Sequence, residues 1–244
     1  MFIPAVFLSL LHTRFFGALT LPTAADRVLV VAPHPDDETI GAAGYLSMAV
    51  RVHAAVQIVV ATDGSLRGKA SVRHQELTHA MAKIGVPSSA ITFFDLPDGY
   101  LNGARDFYPR LQRITAAFRP TVVIGTHPLD FHPDHATVGR AIERLAYASS
   151  TPMDVLFFVV HCRRSPDPDS FKPDSPLSTP LRIHDDLSTW EVLPLPSETE
   201  DEKEQAILEY HSQLCRKAPL KRGLLVSFIR TNELFAVRHY PLAP

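Results

Sequence analysis

Two stretches of the chain gather the side chains that serve acid–base and metal chemistry: "PHPDDE" at 33–38 and "THPLDFHPDH" at 126–135. Each mixes imidazole with carboxylate, a donor set that zinc takes at about 2.0–2.2 Å, keeping one position open when the site is catalytic. His34 and Asp37 stand three residues apart, as do His132 and His135. Either spacing can converge on one ion at a helix start. A carboxylate left off the ion could take a proton from a bound water whose pKa the metal lowers to about 7. Spacing leaves open which Asp binds and which acts as base, and which His does what. One such loop alone reads as a turn or an N-cap. Two of them, both behind apolar runs, read as a metal or catalytic site.

Loops act together only if rigid elements hold them side by side. "RVLVVA" (27–32) is short, β-branched and continuously apolar, the pattern of a strand covered on both faces. Further strands are expected at 54–61, 91–94, 121–125 and 154–160. Helices are expected at about 38–52, 70–85, 107–119 and 134–149, with Gly85 and Pro87 stopping the second and Pro120 the third. Strands alternating with helices predict a Rossmann-like, doubly wound, mostly parallel sheet. With the order 3-2-1-4-5, the first and fourth strands are neighbours, and their carboxyl ends flank the crevice where such folds bind ligands. Both polar stretches fall at that crevice. Residues 27–244 read as one domain. The proline-rich run at 163–196 interrupts it as an ordered excursion or flap. A helix at 197–214 is expected to open on a Ser197/Glu200 capping box and to carry an apolar stripe of Ile207, Tyr210 and Leu214.

Composition removes several classes of function. There are 24 basic and 26 acidic residues, a net charge of −2, and no basic block longer than a short group, so a nucleic-acid partner is not expected. Two cysteines without a CxxC argue against a disulfide framework and are compatible with a reducing, cytoplasmic setting. A dinucleotide site would need a glycine-rich turn after the first strand. That turn holds Asp36, Asp37 and Glu38, which repel phosphate, while "GAAG" (41–44) sits inside the following helix and suits close packing on the sheet. Residues 1–26 are apolar but broken by His12, Thr13 and Arg14, short of the roughly 20 residues of a membrane span. A packing or membrane-surface helix, an export signal or anchor, and a misplaced start all remain as readings.

At these residues the chain resembles the PIG-L/LmbE family of metal-dependent N-deacetylases. The motif (A/P)HPDDE stands at 33–38 and HPDH at 132–135, with Thr126 and Asp130 ahead of it. Weaker agreement includes "TDG" (62–64), Arg73 with Glu76, "LPDG" (96–99), "KEQAILEYHSQL" and "NELF" (232–235), so the likeness spans about 27–238. The resemblance implies His34, Asp37 and His135 as ligands of zinc, with ferrous iron as the alternative. It implies Asp36 as general base, His132 as the group that polarises or protonates the tetrahedral intermediate, and Asp134 as its orienting partner. The implied substrate is an N-acetylated sugar of the N-acetylglucosamine type or its conjugate, yielding an amine and acetate.

Arg73 and Asp98 are the expected substrate contacts, through an anionic group on the aglycone and through sugar hydroxyls. Against these stand a structural Arg73–Glu76 pair on one helix and an Asp98-Gly99 turn. The remaining histidines, His161 and His184 among them, match no metal spacing and read as surface or core, as do Trp190 and the Phe93–Phe94 and Phe157–Phe158 pairs. Two rival functions stay open. A metal phosphoesterase would want more bridging carboxylates than these loops supply. A non-catalytic sugar- or metal-binding module would need neither Asp36 nor His132.

Overall fold

The apolar run at Arg27–Ala32 forms β2, which lies inside the sheet and is covered on both faces. In the computed structural model, residues 17–67, 69–162, 170–180, 183, 185–214 and 219–241 are described. The first 16 residues, His184 and part of the proline-rich run lie outside them. β2 pairs in parallel with β3 (Ala55–Thr62) on one side and β5 (Val122–Thr126) on the other, with Val28 opposite both Val56 and Val122. Beyond β3 lies β4 (Ile91–Leu96), and beyond β5 lies β6 (Met153–Phe158), both parallel. The five expected strands therefore stand third, second, first, fourth, fifth across the sheet.

Helices α1 (Asp37–Arg51), α2 (Ala70–Lys83), α3 (Phe107–Phe118) and α4 (Pro133–Tyr147) follow β2, β3, β4 and β5 in turn. The period-2 alternation of a strand splits β2 between two cores. Val28 and Val30 pack with Ile40, Leu46, Leu77 and Met81 from α1 and α2. Leu29 and Val31 pack with Leu111, Val138 and Ile142 from α3 and α4. Gly41 and Gly44 let α1 approach closely: a Cβ would stand 2.4 Å from the Phe158 ring at Gly41 and 2.4 Å from Leu195 at Gly44.

The second half departs from the expected pattern. The excursion contains a strand, β7 (Thr189–Pro194), and the sheet continues with β8 (Asn232–Tyr240), antiparallel to both β6 and β7. Gly17–Ala18 forms β1, parallel to β7 at the edge, so the tail of the N-terminal segment is strand rather than helix. The helix expected at 197–214 is two, α5 (Ser197–Leu208) and α6 (His211–Leu214). Its N-cap is Pro196, without a side-chain hydrogen bond, because Ser197 already lies in the first turn; the capping box does not form. α7 (Pro219–Ser227) was not expected at all. Among the described residues no helix is long and apolar enough to cross a membrane.

Candidate active site

β2 ends at Ala32 and the chain turns through Pro33–Asp36 into α1. Thr62, at the end of β3, pins that turn by donating its N–H and its hydroxyl to the Pro33 carbonyl at 2.9 and 2.8 Å. Asp36 is the N-cap of α1, with φ 140° and ψ −25°. Across the crevice, His132 caps α4. Its Nδ1 accepts the Asp134 N–H at 3.3 Å, and Pro133 opens the helix where its missing N–H costs nothing. Both polar loops thus become helix N-termini on adjacent strands.

Three atoms from these termini meet. His34 Nδ1 lies 3.0 Å from Asp37 Oδ2, Asp37 Oδ2 lies 3.2 Å from His135 Nε2, and the two imidazole nitrogens are 3.3 Å apart. A tetrahedral ion with bonds of about 2.0–2.2 Å spaces its ligands about 3.3–3.6 Å apart, so this triangle is near the right size for one zinc-sized cation. His132 stands beside it, its ring centroid 4.9 Å from that of His34 and 4.8 Å from that of His135. His34, His132 and His135 can offer donor atoms within 4.8 Å of one another.

The surrounding carboxylates fix the rings. His34 Nε2 faces Asp98 Oδ1 at 3.1 Å and Asp134 Oδ2 at 3.2 Å. His135 Nδ1 faces Asp130 Oδ2 at 3.5 Å. Asp130 in turn accepts the backbone N–H groups of His132, Val160 and His161 at 2.9–3.0 Å, tying the segment just past β6 to the α4 cap. A carboxylate behind a ligand imidazole sets ring orientation and raises basicity. Burial would lower the pKa of both imidazoles, but the carboxylates outweigh it: His34 is held well above its ordinary value and His135 rises to about 9. Burial would raise Asp37, yet His135 and His34 hold it well below the usual carboxylate range. So acid-rich a pocket demands positive charge. A divalent cation held by His34, Asp37 and His135 would supply it, with the imidazoles giving up their protons on binding.

Every residue singled out from sequence is drawn toward this crevice, though not always for the expected purpose. Asp36 is fully buried, and Arg73 Nη2 lies 3.1 Å from its Oδ2. Arg73 also donates to the Pro35 and Gly64 carbonyls and is itself buried. Its guanidinium therefore serves the 33–38 turn, and neither an open anion contact nor a pair with Glu76 describes it. Glu76 instead accepts the Ser212 N–H and hydroxyl at 2.6 and 2.7 Å. Asp134 does not orient His132 through its carboxylate. That group faces His34 and accepts the Gly99 and Leu101 N–H groups at 2.7 and 3.0 Å, so it positions the loop after β4. Asp98, on that loop, touches His34 and accepts the Leu66 N–H at 3.1 Å.

His161, read as a surface or core histidine, belongs to the cluster. Its ring centroid lies 4.8 Å from His135 and 5.4 Å from His132, and burial together with His135 lowers its pKa to about 4. The available signal was its place just past β6, the strand beside β5.

A mostly parallel sheet with a His/Asp cluster at its topological switch point defines the class: an α/β protein whose fold is similar to that of LmbE-like deacetylases. Residues 29–146, just under half of the chain, match the family model described as PIG-L, GlcNAc-PI de-N-acetylase, and over that span the chain is similar to PIG-L/LmbE-type proteins. It is 27% identical to the "Probable N-acetyl-alpha-D-glucosaminyl L-malate deacetylase 2" of Bacillus subtilis (strain 168), over 50% of this chain and only 61% of that protein's length. The solved N,N'-diacetylchitobiose deacetylase from Pyrococcus horikoshii is similar with a TM-score of 0.65 at 18% identity, covering 90% of this chain and 86% of that one. The A40926 pseudoaglycone deacetylase Dbv21 gives 0.64 at 18%, covering 89% and 99%. At those identities the structural likeness speaks for the fold, and the activity has to be argued from the site.

Proposed function

We propose that this protein is a metal-dependent hydrolase that removes an N-acetyl group from an N-acetylglucosamine-type sugar or glycoconjugate. The observation that carries this reading is the triangle of His34 Nδ1, Asp37 Oδ2 and His135 Nε2, with sides of 3.0–3.3 Å. The donor set of two imidazoles and one carboxylate fits zinc, and ferrous iron accepts the same set. Bound there, a divalent ion supplies Lewis acidity. Asp36, adjacent in sequence to the ligand Asp37, accepts a proton from the attacking water and returns one to the departing amine. His132, half-buried at the edge of the triangle, donates a hydrogen bond to the acetamide oxygen as charge builds on it. Asp98 and Asp134 hold His34 from behind.

Metal analysis of the purified protein, paired with an amine-release screen over N-acetylglucosaminides, tests this. Zinc or iron at one per chain together with amine release supports it. Metal-replete protein that releases phosphate from phosphoesters, and no amine, would overturn it. Asp36→Ala should retain the metal while turnover falls by about 10²–10⁴-fold, the usual weight of a general base. His34→Ala should lose the metal.

A further inference from the structure

Resting on the reading of Asp36 as the base, we infer that Tyr210 and Glu38 are positioning residues that hold Asp36 in its working conformation. Asp36 adopts φ 140°, ψ −25°, a region that a residue with a side chain rarely occupies and keeps only where its surroundings over-determine it. Two groups do so here. Arg73 engages the Asp36 side chain and the Pro35 carbonyl from one side. From the other, Glu38 Oε2 accepts the Asp36 backbone N–H at 3.2 Å.

Glu38 is itself clamped. Its Oε1 accepts the Thr39 hydroxyl and the Tyr210 hydroxyl, both at 2.6 Å, and those two hydroxyls are 2.7 Å apart. Glu38, Thr39 and Tyr210 are all fully buried. Tyr210 enters from the break between α5 and α6, 172 residues along the chain from Glu38. A buried carboxylate with this many donors is fixed in one rotamer, and it fixes the peptide whose N–H it accepts. The direction of the Asp36 carboxylate is thereby set by a hydroxyl from the distant α5–α6 break. The bland alternative is a helix cap that contributes stability alone.

The two roles separate in kinetics. Tyr210→Phe deletes only the hydroxyl. With the wild-type protein's active N-acetylglucosaminide as substrate, kcat should fall by about 10–100-fold, the scale of a sub-ångström to one-ångström misplacement, with KM nearly unchanged. Zinc content and the visible spectrum of the cobalt-loaded protein should match wild type, because the ligands are untouched. Tyr45→Phe removes a hydroxyl from a buried tyrosine elsewhere on α1 and should keep kcat whatever it does to the melting temperature. Glu38→Gln, which can still accept the Asp36 N–H, should retain more turnover than Glu38→Ala. Wild-type kcat in folded, zinc-loaded Tyr210→Phe would overturn the inference, as would a loss matched by lost zinc or shared by Tyr45→Phe. Should Tyr210→Phe not fold, Glu38→Asp carries the same test, and wild-type kcat there has the same meaning. Wild-type protein that releases no amine at full zinc loading would overturn the proposed function and this inference with it.

Discussion

At the scale of single residues, the two imidazoles of the triangle, His34 and His135, are each backed by carboxylate, and the backing matters as much as the triangle itself. Asp130 faces the Nδ1 of His135, the nitrogen outside the triangle, and accepts three backbone N–H groups, one from the α4 cap and two from the segment past β6. Asp130→Asn should therefore leave the protein folded while zinc affinity, measured by competition with a chromophoric chelator, drops by about 10–100-fold. Arg73 shows how residue type can mislead. An arginine near an active-site loop suggests an anion subsite, but a buried guanidinium must spend its donors on neighbours, and here these are Asp36 and two carbonyls. Arg73→Lys, which loses the planar fork, should lower turnover more than it raises KM in steady-state kinetics.

At the scale of elements, α1 is the most constrained piece of the fold because its first turn carries the site and its middle lies hard against the sheet. Gly41→Ala would drive a methyl group into the Phe158 ring and should destabilise the protein by about 1–3 kcal/mol in a denaturant titration. Farther along, the Gly44 and Tyr45 N–H groups donate to Glu233 at 2.8 and 2.9 Å, and Glu233 is paired with Lys203 at 2.7 Å. Both charges are buried, so Lys203→Met should cost about 3–5 kcal/mol by stranding Glu233. The excursion is tied down by Asp185, which meets Arg238 of β8 at 2.8 Å and His127 at 2.9 Å. Burial would raise the Asp185 pKa, but hydrogen bonds from Arg238, Ser188 and the Leu187 N–H hold it well below the carboxylate range. Its folded pKa is depressed, so its contribution is complete above the unfolded value near 4 and is lost as pH falls below it. Asp185→Asn should accordingly flatten the acid limb of a thermal-melt series.

At the scale of the whole molecule, the sheet carries two cores, one on each face, neither of which includes the His34, Asp37 and His135 triangle. Chelation should thus abolish the proposed deacetylation while far-ultraviolet circular dichroism stays native, with the melting temperature lowered only by the lost binding energy. The sequence alone determined strands β2 to β6 and the helices between them, because continuous β-branched runs and 3.6-residue periodicity are local signals. It also marked the two candidate loops, since a turn or an N-cap explains one His/Asp cluster behind a buried strand but not two. Its reach ended where the deciding partner is distant. β8 and β7 join the sheet through pairing with each other and with β6, and the helix at 197–214 breaks at Glu209 and Tyr210, where the Tyr210 hydroxyl meets Glu38. His161 matches no spacing because its neighbours are set by strand order. Periodicity is written residue to residue, whereas which carboxylate faces which imidazole is fixed only when strands far apart in sequence lie side by side.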